Sequence, residues 1–221
     1  MSLIHGGSTL KFNIDSPFFR FLTTLADFVV LNIVFLLSCV PIFTIGTSLT
    51  ALYHVTMQEA RTEHGYILRN YFTSWKQNFK QSTAIWTIYF VLGAILLFNL
   101  SFWYALKSTA GNIVLAVLLI ATAVYVVSFM YLFPLQARFA NPIRQTIKNS
   151  VFIALQNLRM TLLLLLINGL FAALCRFVPQ ALIFMIFLGF AFFAYCNSFL
   201  FVKVFTLYEA KESSSDGDDS L

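Results

Sequence analysis

Charge is what this sequence has least of. Only 10% of its 221 residues are Asp, Glu, Lys or Arg, against roughly 25% in soluble domains. So few charges cannot cover the surface of a water-soluble fold of this length. Cysteine is scarce as well. Cys39, Cys175 and Cys196 stand far apart in or beside apolar runs, which argues against a disulfide framework or a cysteine zinc site and leaves them as small packing residues. His5, His54 and His64 include no i, i+4 pair, so the helical zinc-hydrolase pattern is missing. There is no Walker motif, no other phosphate-binding glycine loop and no GxSxG. Asp27 is the only acid near the interior of an apolar run, and intramembrane aspartyl chemistry needs two. These gaps name no catalytic residue, metal or cofactor, so an enzyme is not expected. The net charge of +5 sits on no separate basic domain and does not point to nucleic acid. The first residues carry no signal-peptide pattern.

What the sequence has is apolar length. It is 59% hydrophobic with 26 Phe, and several runs reach the ~18–20 residues that cross hydrocarbon. The pattern predicts an all-α polytopic membrane helix bundle of about five transmembrane helices, with two amphipathic interfacial helices. Residues 1–15 read as a flexible N-terminal tail, 16–208 as one membrane helical domain, and 209–221, with Glu212, Asp216, Asp218 and Asp219, as a disordered acidic tail.

The first run is interrupted. No Asp, Glu, Lys or Arg occurs between Phe28 and Gln58, yet Pro41 and Gly46 fall near its middle with Thr44 between them. Ser16 and Pro17 form a helix start, and Pro41–Gly46 predicts a kink or a break. If the break is a hairpin tip, residues 17–60 enter the membrane twice and the spans number six. Further spans are expected over about 82–104, 112–135, 160–175 and 181–202.

Two basic stretches separate them. Leu68, Phe72, Trp75 and Phe79 share one helical stripe, with Arg69, Lys76 and Lys80 beside it, which suits a helix lying in the membrane interface. In the second stretch Ile143, Ile147, Val151, Ala154 and Leu158 share a face, and Arg144, Lys148 and Arg159 supply the charge. Gln77-Asn78-Phe79-Lys80 and Gln156-Asn157-Leu158-Arg159 precede the second and fourth spans, a hint of internal repetition. The basic bias places loops 61–81 and 138–159 and the C-terminus in the cytoplasm. The basic residues of these loops, with Trp75 and Phe79, are candidate contacts for lipid or a partner.

Polar residues inside apolar runs are where function is sought in a membrane protein. Asp27, Asn32 and His54 form a possible intramembrane polar site. Each has a structural alternative: Asp27 as an interfacial acid near Arg20 or Thr23, His54 as a packing residue. Asn99, Asn168 and Asn197 suit bonds between spans.

Asp15-Ser16-Pro17, Phe21-Leu22, Ala26-Asp27, Pro41-Ile42-Phe43-Thr44-Ile45-Gly46, Ser48 to Tyr53, Gly65-Tyr66 and Phe79-Lys80-Gln81 together resemble the YesL-like family of bacterial membrane proteins. The resemblance is dense over about residues 15–85. It implies a multi-pass plasma-membrane protein tied to carbohydrate uptake, and it assigns no catalytic residue. The expected role is a non-enzymatic accessory or assembly subunit of an oligosaccharide ABC importer, in contact with its permease subunits. The alternative is a small stand-alone transporter or channel whose broken first helix lines the pathway.

Overall fold

The computed structural model describes residues 17–63, 65–106, 108–178 and 180–218, with side chains described from Thr23 onward except at 181–182 and 210–218. The expected tail 1–15, the Ser16 cap, His5, His64 and the side chain of Arg20 lie outside these residues. The described chain is helical, without strands. Its elements are α1 (Pro17–Ser38), a 3-10 turn (Ile42–Thr44), α2 (Ile45–Ala60), α3 (Ile67–Leu106), α4 (Thr109–Arg138), α5 (Ile143–Gln156), α6 (Leu158–Phe177), α7 (Gln180–Phe184), a π-turn (Met185–Gly189) and α8 (Phe190–Asp218). Four segments are long and apolar enough to cross a membrane: Ile67–Leu106, Thr109–Arg138, Leu158–Phe177 and Met185–Glu209. Thr23–Ser38 is a shorter apolar helix. The protein is an all-α polytopic membrane helix bundle.

The break at Pro41 makes a hairpin. Phe28 packs edge-on against Tyr195, and Phe35 packs at a tilt against Phe190, so α1 runs opposite to α8. Thr56 meets Ser198, and Arg61 and Glu209 line one recess, so α2 runs with α8 and back along α1. The turn holds itself. Thr44 Oγ1 donates to Ser38 O and Pro41 O, both at 2.6 Å, and Ser48 Oγ donates to Ser38 O at 3.1 Å. These bonds satisfy carbonyls that the end of α1 would leave open.

The central element is α2. It carries nine buried residues over 16 and packs against α3, α4 and α8. Three apolar clusters surround it. One joins Phe28, Leu31 and Phe35 to Leu52, Val55 and Tyr71. Another joins Met57 to Tyr131, Leu164, Phe201 and Phe205. The third holds Ile85, Tyr89, Leu132 and Phe133. Gly46 lets α2 approach α3, since a Cβ there would stand 2.6 Å from both Ser82 O and Trp86 Cβ.

Three expectations need correcting. The basic stretch 68–80 is not a separate interfacial helix: it is the first third of α3, a single 40-residue helix continuing into the second span. No Pro or Gly occurs between Ile67 and Leu92 to break it. The second basic stretch is a separate helix, α5, and it buries the apolar stripe read from the sequence only in part: Ala154 is buried, and Ile143 and Ile147 are half-buried against the third cluster. Its buried residues are Thr146, Ser150, Ile153 and Ala154, while Leu158 is exposed; Thr146 and Ser150 turn inward because Gln136 and Ser128 on α4 offer them partners. Finally, α8 continues to Asp218, through most of the stretch expected to be a disordered tail.

Candidate functional site

The polar residues of α2 are buried because each finds a partner on a neighbouring helix. Thr47 Oγ1 lies 3.1 Å from Thr83 Oγ1, Thr50 Oγ1 2.9 Å from Ser82 Oγ, and Thr56 Oγ1 2.8 Å from Ser198 Oγ. The pattern continues away from α2. Ser128 Oγ lies 2.5 Å from Tyr89 Oη and 2.7 Å from Ser150 Oγ, and Tyr131 Oη is 3.0 Å from Thr161 Oγ1. In low dielectric an unpaired hydroxyl is costly and a paired one fixes register. The hydroxyls therefore act as specific links between helices.

Two recesses flank α2. One is a polar cleft of about 450 Å³ at the end bearing the basic stretches, lined by His54, Gln77, Asn78, Gln81, Gln136 and Arg138 among others. Its floor is an amide network. Gln136 Nε2 donates to Gln81 Oε1 at 2.8 Å and to Asn78 Oδ1 at 3.3 Å, and Gln136 Oε1 accepts from Thr146 Oγ1 at 3.1 Å. His54 Nδ1 donates to Ala137 O at 3.2 Å. Burial holds His54 below its ordinary pKa, the Arg61 and Arg138 charges add to this, and the bond to Ala137 opposes it. Arg138 closes one end through two bonds to Glu209, at 2.5 and 3.0 Å.

The other recess is an interhelical cavity of about 120 Å³ between α2, α4, α6 and α8. Tyr53, Asn168 and Asn197 bring polar atoms to a wall otherwise made of Leu49, Phe129, Met130, Phe133 and Phe201. Asn197 is 1% exposed, and its Oδ1 has no hydrogen-bond partner.

Asp27, Asn32 and His54 do not meet. Asp27 is exposed on α1, while His54 faces α4. Asn32 is fully buried, and its amide clamps the π-turn. Nδ2 donates to Met185 O at 3.0 Å and Ile186 O at 2.8 Å, and Oδ1 accepts from Ala191 N at 2.9 Å. A π-turn displaces the regular helical bonds, and Asn32 takes up the freed groups. Pro41 is exposed in the turn, whereas Thr44 and Gly46 are buried. Arg69, Lys76, Lys80, Arg144, Lys148 and Arg159 are all exposed, while Trp75 and Phe79 are half-buried and pack on one another at 4.9 Å. Asn168 bonds its own helix at Leu164 O, as Asn99 does at Ile95 O. The amide network was not foreseen. Its signal was the polar set Asn78, Gln81 and Gln136 beside long apolar runs.

Residues 28–100, from α1 through α2 into α3, match a family described as protein of unknown function, DUF624. No curated protein and no solved structure matches the chain.

Proposed function

We propose that this protein is a non-enzymatic accessory or assembly subunit, held in the bacterial plasma membrane beside an ABC-type importer of oligosaccharides. The observation that supports docking is the bareness of its spans. The most apolar windows of α3, α4 and α6 are only 6–11% buried, against 39% for the span ending at Glu209. Along α3 and α4, Phe90, Ile95, Phe98, Phe102, Ile113 and Ile120 are all more than half exposed. Lipid can cover such faces, and so can the helices of a permease, because neither association needs polar chemistry. The carbohydrate association rests on the YesL-like resemblance. The exposed basic row of Arg69, Lys76 and Lys80 with Arg144, Lys148 and Arg159 supports a cytoplasmic orientation of that end and contact with anionic lipid or an acidic partner surface.

The test is a gentle-detergent pull-down of the tagged protein from its own membrane, read by mass spectrometry. Permease subunits in fixed proportion, reduced when Lys76 and Lys80 are changed to Glu, are the expected result. Recovery alone or only with itself overturns the proposal.

A stand-alone transporter is the second reading. The broken helix gives it little support, since Gly46 is sealed by Ser82 and Trp86. The cavity beside Asn197 favours it. Flux of sugar or ions through proteoliposomes would move the argument there.

A further inference from the structure

The 120 Å³ cavity between α2, α4, α6 and α8 holds a contradiction of chemistry. Its wall is mostly apolar, yet Asn197 brings to it a buried amide oxygen without a donor. A buried acceptor left unpaired is destabilising. The missing donor has to come from whatever fills the space.

We propose that this cavity binds the hydroxyl end of a small neutral alcohol. No acidic or basic residue lines it, so an ion would be buried without a counter-charge, which is prohibitive. A water cluster is a poor fit, because each buried water needs two to four polar partners and only Tyr53, Asn168 and Asn197 bring polar atoms to a wall otherwise made of Leu49, Phe129, Met130, Phe133 and Phe201. At about 30 Å³ per water-sized group, the space takes roughly four such groups. That is a hydroxyl on a stem of about three carbons. Asn197 Oδ1 accepts the hydroxyl proton, the apolar wall packs the stem, and half-buried Leu49, Met130 and Asn168 leave one side open for the remainder of a longer molecule. The same chemistry is presented by a soluble short alcohol and by the free hydroxyl of a diacylglycerol. The inference stands apart from the accessory-subunit reading, since a pull-down does not test it.

The experiment is photolabelling of the full-length protein in lipid nanodiscs with a diazirine analogue of butan-1-ol, mapped by peptide mass spectrometry. The hydroxyl-free diazirine butane is run in parallel. Label is expected at Tyr53, Met130 and Phe201, competed by excess butan-1-ol. Asn197→Leu should lower it by about fivefold, the effect of one lost hydrogen bond. Competition by 1,2-dioctanoylglycerol identifies a lipid source; competition by butan-1-ol alone identifies a soluble one. Asn168→Leu, which lines the same cavity from α6, serves as the second variant if Asn197→Leu does not purify as a monodisperse species, with a loss of label expected there too. The proposal is overturned if butan-1-ol does not compete, if the hydroxyl-free probe labels these residues equally, or if the folded variants label like the unaltered protein. The cavity would then hold only water or lipid chain.

Discussion

Changing Gly46 to Ala tests whether the approach of α2 to α3 organises the fold. The added Cβ would meet Ser82 O and Trp86 Cβ at 2.6 Å and Phe133 Cε1 at 3.0 Å, where ordinary contact begins at 3.4 Å. Ser82 O belongs to the α3 backbone and cannot rotate aside. The two helices must part by about 0.8 Å, well beyond what a packed contact absorbs without loss. Overpacking of this kind costs about 1–3 kcal/mol. Parting also loosens the Thr47–Thr83 and Thr50–Ser82 links, each worth roughly 0.6 kcal/mol in a membrane protein. The better helix propensity of Ala returns up to about 1 kcal/mol. The net expectation is a loss of about 1–3 kcal/mol, measured by equilibrium unfolding in mixed micelles titrated with SDS. Gly169→Ala is the matched control, because nothing lies within 4 Å of a Cβ there. It should be neutral or stabilising. Equal stability of the two variants would refute the close-packing argument.

Asn32→Leu should destabilise by about 2–5 kcal/mol, from three lost bonds at roughly 0.6–1.7 kcal/mol each, with faster amide exchange at Ala191; unchanged exchange there would show that the π-turn does not depend on Asn32. His54 has its pKa lowered by burial from an ordinary 6.5, so below that pH the unfolded chain takes up a proton that the folded chain resists. Stability should hold above about pH 7 and fall as pH drops through the ordinary histidine range; a variant with His54→Gln that keeps the same pH slope would exclude His54 as its source. The side chains of Arg138 and Glu209 are 26% and 33% exposed, so Glu209→Gln should cost no more than about 1 kcal/mol and less in high salt. A salt-independent loss would point to packing instead.

The paired segments Gln77-Asn78-Phe79-Lys80 and Gln156-Asn157-Leu158-Arg159 show how far local pattern reaches. Neither contains a helix breaker, and each Asn side chain bonds a carbonyl four residues back, Asn78 to Ser74 and Asn157 to Ile153. Yet α3 runs straight through Asn78, while the chain turns between α5 and α6 at Asn157, whose φ is −111° and ψ 50°. The difference lies in long-range partners. Asn78 accepts from Gln136 on α4, while Asn157 donates to Tyr208 on α8 at 2.8 Å. No window of sequence contains either fact.

By itself the sequence determined the class of the protein, the positions of its apolar helices, the break at Pro41–Gly46 and which side chains carry the exposed positive charge. These follow from composition and periodicity, because burial in lipid demands apolar length and a satisfied backbone wherever the chain crosses. Tertiary structure alone decided that α2 is the central helix, that Thr146 and Ser150 face inward, that Asn32 clamps a distant turn and that Asn197 is left facing a cavity without a donor. Each depends on what another helix presents at the same level. A hydroxyl or an amide in an apolar run is equally consistent with a link, a cap or a site until its partner, or the lack of one, is in place.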